Sequence, residues 1–199
     1  MSLYQILKNS YDTKSNQKSA LTKYGYNYDS QLSNKNNQIY FNPSTNDLLM
    51  SVKGTDPTSA QDIYTDIALT FGALKNTSRY KDSYKKWKAA KQKYNVASGT
   101  LVGQSLGGII IKYISSSNDK VITLDSASII GMKDRPNAIS YRTSGDLVRL
   151  SDANKYNTTT LNKEKYGVSD LFGNIGQALS SHEVDQIKNS GINVIPNFQ

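Results

Sequence analysis

Gly103-Gln104-Ser105-Leu106-Gly107 is a G-x-S-x-G, framed by Thr100-Leu101-Val102 before it and Ile109-Ile110-Ile111 after it. A strand that turns this tightly into a helix holds its central Ser in a strained backbone. The flanking positions are Gly because a Cβ there collides with the neighbouring strand or helix. Ser105 is therefore expected at the C-terminal edge of a sheet, above a helix N-terminus whose N–H groups can receive an oxyanion. A Ser hydroxyl is a weak nucleophile until a positioned base takes its proton. The chain holds one imidazole, His182, in Ser180-Ser181-His182-Glu183-Val184. In the fold class that carries its nucleophile on such a strand-to-helix elbow, the acid that orients the base falls between the two in chain order. Two candidates follow predicted strands: Asp125 in Thr123-Leu124-Asp125-Ser126, and Asp146 in Ser144-Gly145-Asp146-Leu147. Asp134, Asp152, Glu164 and Asp170 sit in polar stretches and read as solvated.

Composition removes most other chemistry. With no Cys there are no disulfides, thiolate nucleophiles or thiolate metal sites, and a single His rules out a multi-histidine metal centre. The 199 residues suit one domain, and no stretch approaches the roughly 18 consecutive apolar residues of a membrane span. Met1-Ser2-Leu3-Tyr4-Gln5-Ile6-Leu7 has no basic region followed by an apolar one, so no secretory signal is expected. The location is left open by this, with an intracellular or virion-associated setting compatible with it. The net charge is +8, carried by 20 Lys against only 4 Arg, in a chain that also has 19 Asn. Lys, Asn, Tyr and Ile together point to an AT-rich coding sequence, as in a low-GC bacterium or a large DNA virus. A lysine-rich surface reads first as a solvated face, and as its alternative it can draw a protein to anionic membranes. Four Arg is thin for reading bases, and nucleic acid is not an expected partner.

The elements that must hold the candidate residues follow from periodicity. Residues 1–35 are polar, with a short apolar helical start at Leu3, Ile6 and Leu7, and read as an N-terminal extension or packing segment ahead of a domain over 36–199. Gln38–Asn42 and Asp47–Lys53 are β-rich runs joined by the turn-forming Asn42-Pro43-Ser44-Thr45-Asn46, which predicts a hairpin. Helices are predicted over 59–70, 79–94 and 106–117, and strands over 97–102, 120–124 and 137–142. In the 79–94 helix, Tyr80, Tyr84, Trp87, Ala90 or Lys91, and Tyr94 recur at a spacing of three to four and read as a core face. Residues 151–181 read as loop, with a last short helix over 183–189. Strands alternating with helices predict an α/β fold with a mostly parallel central sheet and helices on both faces.

Four blocks, in order, resemble the class 3 lipases of the α/β-hydrolase superfamily, in a small viral or bacterial form. Val52-Lys53-Gly54-Thr55-Asp56 resembles their oxyanion segment, and Ser59-Ala60-Gln61-Asp62-Ile63-Tyr64-Thr65-Asp66 the amphipathic segment after it, often a lid. Val102-Gly103-Gln104-Ser105-Leu106-Gly107-Gly108 resembles the nucleophile elbow, with Gln104 where the family commonly has His. Ser140-Tyr141-Arg142-Thr143-Ser144-Gly145-Asp146-Leu147-Val148 resembles the strand and turn that deliver the acid.

The resemblance implies a Ser105–Asp146–His182 triad, with Asp146 preferred over Asp125. It also implies an oxyanion hole formed by Thr55 and the N–H of Leu106. The implied activity is hydrolysis of lipid or other carboxylic esters through an acyl-enzyme, as in lipases and phospholipases, without metal or organic cofactor. The basic surface would bring the enzyme to anionic lipid. A soluble short-chain ester is the alternative substrate, and a catalytically inactive binding or structural protein on the same fold is the alternative class. Ile63, Tyr64, Ile67, Ala68 and Phe71 share one side of the 59–71 helix, which is expected either as a core face or as a lipid-contacting lid.

Overall fold

A computed structural model describes residues 1–12, 14–55, 73–126, 137–143, 158–161, 187–188 and 190–192. Among these, seven strands form one sheet whose order in space follows their order in the chain. They are β1 (Asn27–Tyr28), β2 (Asn37–Asn42), β3 (Asp47–Val52), β4 (Thr100–Gln104), β5 (Lys120–Leu124), β6 (Ala138–Thr143) and β7 (Thr158–Leu161). β1–β2 and β2–β3 pair antiparallel, and every pairing from β3 to β7 is parallel. The expected hairpin is β2–β3, turning through Asn46 at φ 55°, a left-handed conformation that Asn tolerates. The chain is thus an α/β protein with a mostly parallel sheet.

Four described helices cover that sheet: α1 (Leu3–Ser10), α2 (Lys14–Ser19), α3 (Ser78–Tyr94) and α4 (Leu106–Ile114). Alternation along the strands divides the core in two, because successive side chains point to opposite faces. Ile39, Met50, Val52, Leu101 and Val121 face α3 and α4, meeting Trp87, Ile110 and Ile114. Tyr40, Leu49, Val102, Ile122 and Leu124 face the other way and meet Leu3, Ile6 and Leu7 of α1. The shared face of α3 and α4 follows from handedness. Right-handed crossovers between parallel strands that advance in one direction place every connecting helix on the same side. The opposite face needs another cover, and α1 supplies it. Ser2 and Gln5 form a capping box at its start, and Ile187 and Ile192 pack beside it, the Leu3 N–H donating to the Ile192 carbonyl at 3.0 Å.

Several sequence expectations shift. The helix after Ser105 ends at Ile114, not 117, and the strand expected over 97–102 runs from Thr100 to Gln104. β7 lies inside the stretch read as loop; Thr158-Thr159-Thr160-Leu161 has no alternation, but its β-branched residues suit a strand. The aromatic stripe of α3 is partly wrong. Ser83, Trp87 and Ala90 are its buried residues, whereas Tyr84 is 47% exposed and stacks on Tyr80. The core-facing line runs through 83, 87 and 90, and Tyr84 stands one position off it. The expected helices at 59–70 and 183–189 lie outside the described residues, apart from Ile187 and Lys188.

Two buried carboxylates pin α3. Asp119, 1% exposed, accepts from the Trp87 indole at 3.2 Å, the Gly99 N–H at 3.1 Å and the Ser116 N–H at 2.7 Å, and pairs with Lys91 at 2.6 Å. Burial alone would raise its pKa. The bonds from Lys91, Ser116 and Trp87 outweigh that and hold it below the ordinary carboxylate range. Asp29 plays the same part at the helix C-terminus, bound by Lys93 at 2.7 Å and the Tyr94 hydroxyl at 2.8 Å. Its carboxyl is likewise held low against the opposing effect of burial, and the Tyr94 hydroxyl is pushed up to about 12 by burial and by Asp29.

Candidate active site

β4 delivers Ser105 to the C-terminal edge of the sheet, and α4 starts at the next residue. Ser105 has φ 49° and ψ −123°, outside the ordinary wells for an L-residue, a conformation costing on the order of 1–3 kcal/mol. The surroundings hold it there. Its N–H donates to the Leu124 carbonyl at 3.0 Å, and its carbonyl accepts from the Ile109 N–H at 3.2 Å. A Cβ on Gly103 would stand 2.7 Å from the Gly107 carbonyl, and one on Gly107 would stand 2.2 Å from the Val52 carbonyl oxygen. Neither position admits a side chain unless α4 lifts away from β3 and β4. The glycines of the motif are thus explained by close approach.

The parallel register brings the next part of the site alongside. Val52 pairs with Gly103, so two residues further on Gly54 arrives beside Ser105. A Cβ built on Gly54 would lie 3.5 Å from the Ser105 Cβ. Thr55 follows, and its Oγ1 is buried without a hydrogen-bond partner. Among the described residues its N–H finds no acceptor either, nor does the Leu106 N–H, one of the orphan donors of the first turn of α4. Buried polar groups are nearly always paired, so the unpaired Thr55 hydroxyl is unusual, and it lies one residue beyond the glycine that meets Ser105.

Gly54 is itself gripped from two sides. The Tyr11 hydroxyl, just past the end of α1, accepts from the Gly54 N–H at 3.1 Å, and the Lys53 ammonium sits 4.8 Å from the Tyr11 ring centroid. Arg79, the second residue of α3, donates from Nη2 to the carbonyl of Lys53 and, at 3.2 Å, to that of Gly54. Sequence reasoning missed both residues. Arg79 carried one faint signal, as one of four arginines in a chain that otherwise uses lysine. Tyr11 carried none.

Of the two acid candidates, Asp125 is described. It is 2% exposed, has φ 46°, and donates its N–H to the Tyr141 carbonyl at 2.9 Å. It follows β5 directly, one strand over from Ser105. Asp146 and His182 lie outside the described residues. β6 ends at Thr143, three residues before Asp146, and β7 ends at Leu161. Because β4 to β7 are parallel, both strands end at the edge that carries Ser105. Among the described residues no group of three or more His, Asp or Glu side chains could hold a metal ion, and no helix is long and apolar enough to cross a membrane.

No protein-family model matches the chain, and no curated protein matches it. Among solved structures, a fungal lipase in complex with an inhibitor is similar over 71% of this chain and 68% of its own, at a TM-score of 0.44 and 14% identity. Nothing about activity follows from a likeness at that level.

Proposed function

We propose that the protein is a serine hydrolase of carboxylic esters, with lipid esters as its substrate class. The observation that carries this reading is Ser105, held in a strained strand-to-helix turn beside the unpartnered N–H groups of Thr55 and Leu106. A serine in that setting has a ready-made site for a developing oxyanion, worth about 3–4 kcal/mol per donor in comparable enzymes.

In the proposed reaction the Ser105 Oγ attacks the ester carbonyl carbon while His182 takes its proton. The carbonyl π electrons move to oxygen, where Thr55 and Leu106 donate. The tetrahedral species collapses, the ester C–O bond breaks, and the alcohol leaves with the proton from His182. Water then attacks the acyl-enzyme by the same proton route, releasing the acid and restoring Ser105. Asp146 orients the imidazole and stabilises its charged form. The lean towards lipid rests on the basic surface, since each Lys or Arg near an anionic bilayer contributes about 1 kcal/mol of attraction.

A fluorophosphonate probe tests the reading directly. Labelling at Ser105, abolished in Ser105→Ala with the circular-dichroism spectrum unchanged, is the expected result. A folded wild type that never labels would be a binding or structural protein on this fold. A panel of triglyceride, phospholipid and short-chain nitrophenyl esters then assigns the substrate, and turnover of the last alone would mark an esterase of soluble esters.

A further inference from the structure

We infer that Arg79 is a positioning residue that fixes and polarises the Gly54–Thr55 peptide for oxyanion binding, an inference that rests on the hydrolase reading above. Two backbone carbonyls in succession, those of Lys53 and Gly54, accept from one guanidinium nitrogen of Arg79. A single cation bound to consecutive carbonyls fixes the planes of both peptide groups. The second of these planes contains the Thr55 N–H. In a trans peptide the C=O and the following N–H point in opposite directions, and no cis bond occurs among the described residues. Anchoring the Gly54 oxygen towards α3 therefore aims the Thr55 N–H away from the guanidinium.

The preceding peptide, Lys53–Gly54, is held from the other side as well, because its N–H, that of Gly54, is taken by the Tyr11 hydroxyl 43 residues earlier in the chain. The Lys53–Gly54 peptide cannot rotate without breaking a bond on one face or the other, and the Gly54–Thr55 peptide that follows it takes its plane from the Arg79 bond to the Gly54 carbonyl. A glycine in a loop would otherwise be the freest position in the site. Charge adds to geometry. A hydrogen bond from an ionised donor is roughly twice as strong as a neutral one, and it withdraws electron density along the amide, so the N–H at the far end becomes a better donor. Arg79 does this without touching the substrate. It also brings a positive charge within one peptide group of the site where the oxyanion forms.

Lysine cannot replace it fully. The guanidinium presents its N–H groups in a rigid plane, whereas an ammonium is a point charge on a flexible stem. Its place at the start of α3 keeps it there, since that helix is capped by Thr77, whose hydroxyl accepts from the Tyr80 N–H at 3.2 Å.

The experiment measures steady-state kinetics on a soluble nitrophenyl ester and the rate of fluorophosphonate labelling, for wild type, Arg79→Lys, Arg79→Gln, Arg79→Ala and the exposed control Lys81→Ala. Loss of one oxyanion donor costs about 100–1,000-fold in kcat. A donor left in place but poorly aimed is expected to cost about 10–100-fold, with KM changed less than about 2-fold. The expected order of labelling rate is Arg, then Lys, then Gln and Ala, with Lys81→Ala at the wild-type rate. Folded Arg79 variants that label as fast as wild type, or whose whole defect is in KM, would overturn the inference and leave the hydrolase reading intact. If Arg79→Ala does not fold, the Lys and Gln variants decide by the same order. A folded wild type that never labels at Ser105 would defeat the hydrolase reading, and the inference falls with it.

Discussion

At the scale of single residues, the site depends on atoms that are missing as much as on those present. Gly107 faces the Val52 and Lys53 carbonyl oxygens so closely that an added Cβ would stand 2.2 and 2.7 Å from them. Backbone on both sides cannot yield as a flexible side chain would. Gly107→Ala is therefore expected to cost about 3 kcal/mol, read as a lower urea midpoint at unchanged slope. Because α4 must lift off β3, Leu106 moves away from Thr55, and labelling of Ser105 should slow even in the folded fraction. The acids make a second residue-scale test. Asp146→Asn is expected to lower turnover by about four orders of magnitude if it orients the base. Asp125→Asn should cost far less, since Asn tolerates the positive φ at that position. The opposite ranking would put the orienting acid on β5.

At the scale of elements, α3 supports the Lys53–Gly54 segment through Arg79, and Asp119 pins its middle. Asp119→Ala removes the partner of the Trp87 indole, the Gly99 N–H and the Lys91 ammonium together. Removing one member of a buried pair costs about 3–5 kcal/mol, and part of that is recovered here because Lys91 still reaches solvent. A loss of about 2–3 kcal/mol is expected. Its pH dependence has a definite sign. The native carboxyl titrates below its unfolded value, so its stabilisation is fully present above that value and is lost as pH falls through the native one. The gap between wild type and Asp119→Ala should be flat above about pH 5 and close as the pH drops below about 4. A gap that persists in acid would mean that the carboxylate's charge is not what holds α3.

For the whole molecule, the net charge of +8 sets how it meets a surface. Anionic vesicles should raise hydrolysis of a lipid ester over neutral ones, and salt should erode the gain, since screening shortens to about 8 Å at physiological ionic strength. Equal rates on both vesicles at low salt would reduce the basicity to composition alone. Within that behaviour, Ile63→Asp tests the 59–71 segment as a lid. Loss of vesicle activity with the soluble ester spared is expected of a lipid-contacting side, whereas joint loss of both activities and of the circular-dichroism signal marks a core face.

What was legible in the chain was local. Strand-to-helix punctuation around Ser105, the runs of β-forming residues in β2, β3 and β5, and the 3.6-residue rhythm of α3 are carried by neighbours within a few turns, where periodicity and turn chemistry act. Even the reason for glycine at 103 and 107 could be stated before the atoms they approach were known. The Thr-rich β7 was hidden because a short hydroxyl-bearing run inside a polar stretch looks like a loop until a neighbouring strand pairs with it. The tertiary structure alone decided who stands beside whom. Gly54 reaches Ser105 because β3 and β4 pair in one register and no other, since a slip of one residue would turn Met50 and Val52 out of their core. Tyr11 and Arg79, 43 residues before Gly54 and 26 after Lys53, close on the Lys53–Gly54 peptide from opposite faces of the sheet. Hydrogen bonds to backbone groups ask only for a donor or acceptor at the right point in space. They leave almost no trace in residue type, and folding alone reveals them.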